Sequence, residues 1–275
     1  MNAEKSYASC GRQYSVLAPY YERLNSEVDY NKYADFIERE IKLHGKEKTE
    51  IVLELACGTG AVTRRLARRG FDMIGIDISE NMLSEAYRLE HSQSFDSESV
   101  HNAGQRRRKK SEILYLCQDI RSFELYGTVS AAVCCLDSLN YLTKPGDLER
   151  CFRTLHNYLE PNGVFIFDVN TPYKFQNIFA GRDFIIEAED VLCAWQNEYN
   201  EKSKICRFYL SLFTDCGNGK WIRSDEIQSE RCYSMTAIKR VLKKCGFEIV
   251  GVYGDMNGTP ADEKNERWFF TARRI

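Results

Sequence analysis

The feature that most constrains this chain is a strand, glycine turn, helix and strand pattern between residues 51 and 77. An apolar, β-rich run, Ile51-Val-Leu-Glu-Leu55, stops at the turn Ala56-Cys-Gly-Thr-Gly60, and a helical pattern starts at once. A second apolar run then ends on an acid, Asp77. Apolar runs joined by a tight turn and a helix are typical of neighbouring parallel strands. The pattern therefore predicts a βαβ nucleotide-binding unit.

The glycine turn and the acid after it indicate what kind of ligand this unit binds. Gly58 and Gly60 let the backbone turn sharply, and they let a ligand come closer than a Cβ would allow. Asp77 follows Gly60 by seventeen residues, close to the separation at which such folds place a carboxylate on ribose hydroxyls. An adenosine-type ligand fits these residues.

A dinucleotide-binding oxidoreductase is the main alternative for such a pattern. Thr63 stands where the third glycine of Gly-x-Gly-x-x-Gly would be, which weakens the case for a pyrophosphate site. Glu54 places a carboxylate near the end of the first strand, where it would repel a pyrophosphate and attract a cationic amino acid or a sulfonium. The ligand is therefore predicted to carry positive charge, and neither NAD nor ATP is expected to bind with comparable strength.

Five motifs along the chain resemble those of class I S-adenosylmethionine-dependent methyltransferases. They are Glu54-Leu-Ala-Cys-Gly-Thr-Gly60, Gly75-Ile-Asp-Ile-Ser-Glu-Asn-Met-Leu83, Cys117-Gln-Asp-Ile-Arg121, Cys135-Leu-Asp-Ser-Leu-Asn-Tyr-Leu142 and Gly163-Val-Phe-Ile-Phe-Asp168. Their order and spacing resemble that family over nearly the whole chain. The run Asp137-Ser-Leu-Asn-Tyr-Leu142 and the tail Asp168-Val-Asn-Thr171 are most similar to the bacterial methyltransferases of the YqeM type. The resemblance implies S-adenosyl-L-methionine as the cofactor and an α/β fold with a Rossmann-like seven-stranded sheet, helices on both faces and an inserted antiparallel β meander.

The resemblance also implies a set of cofactor-binding residues. Asp119 is expected to meet the adenine amino group, and the N-terminal tyrosines to fold over the cofactor as a lid. Aromatic faces also stabilise a sulfonium by a cation–π attraction of about 1 kcal/mol. Ordinary packing is the alternative for any one tyrosine and for Met82. The predicted set is Tyr14, Tyr21, Glu54, Ala56, Cys57, Gly58, Gly60, Asp77, Ile78, Met82, Gln118, Asp119, Ile120 and Leu136.

Five acidic residues fall at predicted strand ends, where ligands bind in open α/β sheets. They are Glu54, Asp77, Asp119, Asp137 and Asp168. Transfer of an activated methyl group requires alignment of the nucleophile and exclusion of water, and a base is optional. Asp137 and Asn140 are predicted to be the catalytic residues, which orient an acceptor amine or hydroxyl.

Several other chemistries fit the sequence less well. None of the four histidines lies at a predicted strand end, so a histidine base is not expected. Cys134 and Cys135 lie inside a predicted strand, where apolar burial keeps a thiol inert, so a cysteine nucleophile is not expected. The Asn-Pro-Pro-Tyr type of motif that holds a base or glutamine amino group is also missing, and Asp137-Ser-Leu-Asn140 stands in its place.

Length and composition restrict the size of the core, the redox environment and the membrane contact of this protein. With 275 residues and 43% hydrophobic residues, the chain is long enough for one α/β core with an added lobe. Eleven cysteines without a Cys-x-x-Cys pair indicate buried thiols in a reducing cytoplasm and no metal site. No apolar run is long enough to span a membrane. A cytoplasmic protein without membrane contact is predicted.

Four regions are predicted from these patterns. Residues 1–45 form an N-terminal lid and helix, and residues 46–171 form the cofactor-binding core. Residues 172–234 form an antiparallel substrate cap of three period-two runs, 184–200, 204–215 and 221–234, in which Trp195, Tyr209, Arg231 and Tyr233 are candidates for acceptor specificity. Residues 235–275 form a helix and a β hairpin that complete the core sheet.

The acceptor is the least determined part of the function. A serine-rich, polar insertion at 92–111 ends in the basic run Arg106–Lys110 and is expected to be mobile. This run could hold a nucleic-acid backbone, but the formal net charge of −2 favours a small-molecule acceptor. An RNA-modifying enzyme and a non-catalytic cofactor-binding module are the alternatives, and the oligomeric state is not predicted.

Overall fold

The computed structural model describes residues 14–95 and 112–275, except for the side chains of residues 93–95. The helices are α1 (Tyr21–Leu24), α2 (Tyr30–His44), α3 (Ala61–Arg68), α4 (Glu80–Phe95), α5 (Asp147–Tyr158) and α6 (Met235–Lys244). The strands are β1 (Ile51–Leu55), β2 (Asp72–Asp77), β3 (Leu114–Cys117), β4 (Val129–Cys134), β5 (Leu159–Asn170), β6 (Asp183–Ala188), β7 (Val191–Asn200), β8 (Ile205–Asp215), β9 (Trp221–Arg231), β10 (Phe247–Tyr253) and β11 (Arg267–Arg274). Residues 92–95 continue α4, and the basic run Arg106–Lys110 lies outside the described residues.

A seven-stranded sheet forms the centre of the fold, in the order β10-β11-β5-β4-β1-β2-β3. Strands β1 to β5 are parallel, whereas β11 is antiparallel to both β5 and β10. The predicted sheet and its C-terminal hairpin are thereby confirmed. Strands β2 and β3 lie on one side of β1, and β4 and β5 lie on the other, so the strand order switches between β1 and β4. Ligands bind beyond the carboxyl ends of the strands at such a switch point.

Helices cover both faces of this sheet because its inner strands are apolar on both sides. Successive residues of β4 alternate between two apolar clusters, since strand side chains point to opposite faces in turn. Ala132 joins the cluster that includes α5 and α6, and Val133 joins the cluster that includes α2, α3 and α4. Strand β3 was expected to be buried, but it lies at the edge of the described sheet, and its Leu114 is 50% exposed.

Glycines permit the tight packing of the βαβ unit at two positions. Gly60 precedes α3 with a φ of 73°, and a Cβ placed there would lie 2.4 Å from the Tyr115 hydroxyl. A Cβ on Gly75 of β2 would lie 2.9 Å from Cys57 Sγ. Both positions therefore require glycine, because a methyl group would overlap side chains that are themselves buried.

A second, four-stranded antiparallel sheet, β6-β7-β8-β9, is inserted after β5. The predicted antiparallel insertion is confirmed, but it has four strands, whereas three runs were predicted. The first run divides into β6 and β7 because Glu189 and Asp190 form a two-residue turn between the paired residues Ala188 and Val191. One face of this sheet packs on the N-terminal segment in an apolar cluster that includes Leu17, Leu24, Phe208, Leu210 and Leu212.

The cysteines of the described residues are all free thiols. The prediction of burial is confirmed for Cys57, Cys134, Cys135, Cys151, Cys193, Cys206, Cys232 and Cys245. It is wrong for Cys117, which ends the edge strand β3, and for Cys216, which follows β8. None of the helices in the described part of the chain combines the length and the apolar character that crossing a bilayer requires.

Candidate active site

The glycine turn after β1 is held open by the acid at the end of β2. The Asp77 carboxylate accepts hydrogen bonds from the Gly58 amide at 2.9 Å and from the Ser79 amide at 2.8 Å. Gly58 has a φ of 55°, and a Cβ built on it would meet nothing within 4 Å. The backbone of the turn therefore faces open space at the carboxyl ends of β1 and β2, which is where a ligand can approach it.

Glu54 lies beneath this turn and is 3% exposed. Its carboxyl group accepts a short hydrogen bond from the Thr63 hydroxyl at the start of α3. Burial raises the pKa of Glu54 to about 8, because the charged form loses its hydration and the hydrogen bond from Thr63 offsets only part of that loss. A cation placed beside this buried carboxylate would stabilise it more than it would stabilise an exposed carboxylate, because the surroundings screen the charges less.

A small enclosed cavity of about 30 Å³ lies over Glu54 and the glycine turn. Of the predicted cofactor residues, it is lined by Tyr21, Glu54, Ala56, Cys57, Gly58 and Leu136. Tyr30 closes it from the start of α2 and was not predicted. The structure therefore brings six of the predicted cofactor residues together around one cavity.

The residues expected around the adenine lie at the ends of β2 and β3. Ile78 is 67% exposed, whereas Met82 and Ile120 are buried. Gln118 exchanges both of its amide hydrogen bonds with the Glu124 backbone. The Asp119 carboxylate is paired with the Arg121 guanidinium, which lowers its pKa. The adenine contact predicted for Asp119 thus has to form on a carboxylate that already has a cationic partner.

The N-terminal segment, residues 14–29, connects the core to the cap. Glu22 of α1 accepts hydrogen bonds from the Thr59 hydroxyl at 2.7 Å and from the buried Arg64 guanidinium at 2.6 Å. The next residue, Arg23, forms an ion pair with Asp190 in the turn between β6 and β7. The segment is thereby fixed to the glycine turn on one side and to the cap on the other.

A larger cavity of about 430 Å³ lies between the N-terminal segment, the cap sheet and the strand ends of the core. Tyr21 and Leu136 line both cavities and form the boundary between them. Tyr14 lines only the larger cavity, where its ring contacts those of Tyr21 and Tyr141 at centroid distances of 6.0 and 5.9 Å. Tyr14 therefore lies apart from the residues that surround Glu54, and its contact with the cofactor stays a prediction.

An ion-pair network shapes the boundary between the cavities. The Asp168 carboxylate accepts from the backbone amides of Leu136 at 2.8 Å and Asp137 at 2.9 Å, both of which have positive φ. Arg267 pairs with Asp168 and, at 2.6 Å, with Asp137. Asp137 thus lines the larger cavity, with its charge balanced by Arg267, and its catalytic role stays a prediction.

The catalytic role predicted for Asn140 is wrong in this geometry. Asn140 is fully buried, and its amide nitrogen donates to the backbone oxygens of Asn170 and Arg231. Its amide oxygen accepts from the Asn170 backbone amide at 3.0 Å. These bonds join the end of β5 to the end of β9, and they leave no part of the side chain free to orient an acceptor.

Several polar residues of the larger cavity were missed by the sequence analysis, and Asn170, Lys174 and Glu230 are among them. Asn170 donates a 3.0 Å hydrogen bond to the Glu230 carboxyl group, which is 2% exposed and faces Asp137. The signal for Glu230 is present in β9, where Glu226, Gln228 and Glu230 alternate with more exposed residues. Polar side chains on the inward-facing positions of a strand are unusual unless they serve a site.

The cap residues proposed for specificity lie in different places. Trp195 lines the larger cavity together with Phe184 and Phe208. Tyr209 instead donates to Glu198, Tyr233 donates to the Leu142 backbone, and Arg231 donates to the Thr143 backbone. Trp195 is therefore the member of the predicted set that reaches the cavity.

No group of three or more His, Cys, Asp or Glu side chains within residues 14–95 and 112–275 is arranged to hold a metal ion. The polar side chains that line the two cavities carry carboxyl groups, one guanidinium, one amine, amides, thiols, and the hydroxyls of tyrosine, serine and threonine. Such groups can bind and orient organic cations, amines and hydroxyls, and they can accept protons from them.

Known proteins match this chain over most of its length. A family model described as a methyltransferase domain matches residues 52–163. The Bacillus subtilis (strain 168) protein "Putative methyltransferase YqeM" is 31% identical over 262 residues, which are 95% of this chain and 97% of that protein. A glycine/sarcosine N-methyltransferase of Halorhodospira halochloris is 24% identical over 255 residues, 87% of this chain and 80% of that protein.

A solved structure gives the same result for the fold. The crystal structure of an S-adenosylmethionine-dependent methyltransferase from Clostridium acetobutylicum ATCC 824 matches with a TM-score of 0.79 at 27% identity and covers 99% of both chains. Similarity to YqeM at this level over nearly the full length, together with the seven-stranded sheet and its glycine turn, shows that the chain belongs to the S-adenosylmethionine-dependent methyltransferases.

Proposed function

We propose that the enzyme transfers the methyl group of S-adenosylmethionine to a nitrogen or oxygen nucleophile of a small molecule bound in the larger cavity. The observation that carries this proposal is the boundary shared by the two cavities, where Tyr21 and Leu136 line both. A donor over the glycine turn and an acceptor in the larger cavity would meet at these two side chains. Such a meeting point is what in-line displacement requires.

The residues at and beside the glycine turn suit the donor. Gly58 leaves room for an adenosine to approach the backbone, the Asp77 carboxylate beside it would accept from the ribose hydroxyls, and Glu54 would pair with the amino group of the methionine part. When bound, S-adenosylmethionine supplies a methyl group that its sulfonium activates. The contribution of the chain is to align the acceptor and to keep water away from it.

The enclosure of the larger cavity favours a small acceptor. Its walls come from the N-terminal segment, the ends of the core strands and the cap, and its volume of about 430 Å³ is within the usual size of a small-molecule site. The Halorhodospira halochloris relative is named for methylating glycine and sarcosine, which are small molecules. An RNA acceptor bound through Arg106–Lys110 is the alternative, and these residues lie outside the described part of the chain.

The proposal is tested by supplying S-adenosylmethionine with a labelled methyl group together with either a small-molecule fraction or an RNA fraction from bacterial cells. We expect label to enter a small molecule as S-adenosylhomocysteine forms. Label that enters RNA alone would refute the proposal.

A pair of variants checks that the larger cavity holds the acceptor. Cys193 lines this cavity, whereas its neighbour Leu192 on β7 does not. Cys193→Phe should reduce turnover at unchanged affinity for S-adenosylmethionine, and Leu192→Phe is the matched control. Equal activity of the two variants would show that the acceptor binds elsewhere.

A further inference from the structure

We infer that the acceptor is an amine that also carries an anionic group, with its nitrogen held by Asn170 and Glu230 and its anion facing Lys174. This inference rests on the proposed function, because it describes the acceptor of the same site. It assigns roles to three residues that form one side of the larger cavity.

Asn170 provides the first observation. The residue is 1% exposed, and its amide nitrogen donates to Glu230 while its backbone amide donates to Asn140. Its amide oxygen has no hydrogen-bond donor among the described residues. A buried carbonyl oxygen without a donor is unfavourable, because it loses its hydration and gains no hydrogen bond in return. An N–H group of the acceptor would supply the donor, whereas an ether or ester oxygen could not.

Glu230 provides the second observation, because it can take the proton that an amine must lose. Burial and then the charge of Asp137 raise the pKa of Glu230 well above its ordinary value. Its ionised form is therefore a stronger base than an exposed glutamate. Asp137 cannot serve equally well, because Arg267 pairs with it at 2.6 Å. The titratable groups that face Glu230 are Asp137, Lys174, Tyr14, Tyr141 and Cys206.

The methyl transfer exchanges one bond of the methyl carbon for another and moves one proton. The nitrogen lone pair forms the new N–C bond as the C–S bond breaks, and the electron pair of the C–S bond remains on sulfur, which becomes the neutral thioether of S-adenosylhomocysteine. The proton leaves the nitrogen for the Glu230 carboxylate. Asn170 holds the nitrogen through its amide oxygen, so that the lone pair is directed toward the boundary formed by Tyr21 and Leu136.

Lys174 supplies the third observation. Its side chain lines the same cavity, and its ammonium nitrogen lies over the Phe179 ring at 5.1 Å from the ring centroid. No carboxylate of the described residues forms an ion pair with it, although Asp137 and Glu230 act on it electrostatically. Burial lowers the pKa of Lys174. A carboxylate or phosphate of the acceptor would provide the counter-ion that this lysine lacks.

The first experiment locates the transferred methyl group. The labelled small molecule from the cell-extract reaction is fragmented in a mass spectrometer, and its other functional groups are identified. We expect the label on nitrogen in a compound that also bears a carboxylate or phosphate. Label on oxygen, or an acceptor without an anionic group, would overturn this inference while the proposed function stands, whereas label on sulfur or carbon would refute both. Absence of any labelled small molecule would instead count against the proposed function.

The second experiment uses the acceptor identified in this way. Glu230→Gln should lower kcat by about a hundredfold or more with little change in KM, and the acidic limb of the kcat–pH profile should disappear. Glu187→Gln is the matched control, because Glu187 is an exposed glutamate of the same sheet. A Glu230→Gln enzyme within about threefold of the wild-type kcat, with its pH profile unchanged, would refute the role of Glu230 as the base.

Binding without turnover tests the other two residues. Calorimetry with the S-adenosylhomocysteine-bound enzyme should show that Lys174→Met weakens acceptor binding by at least tenfold, and that Asn170→Leu does likewise. The affinity for S-adenosylhomocysteine measured alone should stay the same in both variants, which shows that the fold survives. Unchanged acceptor affinity in Lys174→Met would refute the part of the inference that assigns an anionic group of the acceptor to Lys174.

Discussion

Glu54 should make cofactor binding strongly dependent on pH. Its pKa of about 8 in the free protein means that, at pH 6, about 1% of the carboxyl groups are ionised. A ligand whose cationic amino group pairs with the carboxylate must first ionise it, which costs about 2.7 kcal/mol for two pKa units. The affinity for S-adenosylhomocysteine should therefore rise by roughly fiftyfold between pH 6 and pH 8 and level off above it.

The same shift determines how stability changes with pH. Because the folded-state pKa of Glu54 lies above its ordinary value of 4.5, the folded state binds the proton more tightly than the unfolded state. The free energy of unfolding of the ligand-free enzyme should therefore fall as pH rises from about 4.5 to about 8. Bound S-adenosylhomocysteine should oppose this fall, so that its stabilising effect on the melting temperature grows with pH.

Titration calorimetry in two buffers of different ionisation enthalpy measures both the affinity and the protons released. We expect almost one proton released per ligand bound at pH 6 and about half a proton at pH 8. Glu54→Gln should bind with little dependence on pH and release no proton. An equally steep pH dependence in Glu54→Gln, or a flat profile in the wild type, would refute the pairing of Glu54 with the cofactor.

Three further predictions follow from other parts of the structure. Asp77→Asn should weaken S-adenosylmethionine binding by about 1.5–3 kcal/mol per charge-assisted bond lost, and an unchanged calorimetric affinity would contradict this. Arg267→Met should lower the free energy of unfolding by about 3–5 kcal/mol in denaturant titrations, because it leaves the buried Asp168 charge unpaired; Arg273→Met, at an exposed pair, should change it by less than about 1 kcal/mol. Alanine substitution of Arg106–Lys110 should leave S-adenosylmethionine affinity unchanged, and loss of RNA binding together with its salt dependence would favour the RNA alternative.

The core fold could be predicted because its signals are local. Each parallel strand is an apolar run that a polar residue or glycine follows closely, and the helix patterns between them place the strands in one sheet. The division of the cap's first run into β6 and β7 could not be predicted in this way. Glu189 and Asp190 form that turn, and neither is a glycine or proline. The turn is set by the pairing of the two strands, which extends over distant residues.

The residues of the candidate site also differ in whether local sequence patterns could predict their positions. Glu54, Gly58 and Asp77 lie in one continuous motif, so their proximity follows from the βαβ unit itself. The Asn140 prediction failed because the partners that occupy its amide, Asn170 and Arg231, lie 30 and 91 residues away along the chain. Distant pairing of this kind decides whether a polar side chain faces a ligand or joins two strands, and no local pattern records it.

The attachment of the N-terminal segment leads to a prediction about the order in which ligands exchange. Glu22 connects this segment to the glycine turn, Tyr21 lines both cavities, and Tyr14 lines the larger one. If the donor binds over the glycine turn and the acceptor in the larger cavity, as proposed, the acceptor would pack against the segment and hold it over the donor. We therefore expect S-adenosylmethionine to enter first and S-adenosylhomocysteine to leave last. In steady-state kinetics, S-adenosylhomocysteine should compete with S-adenosylmethionine and should not compete with the acceptor.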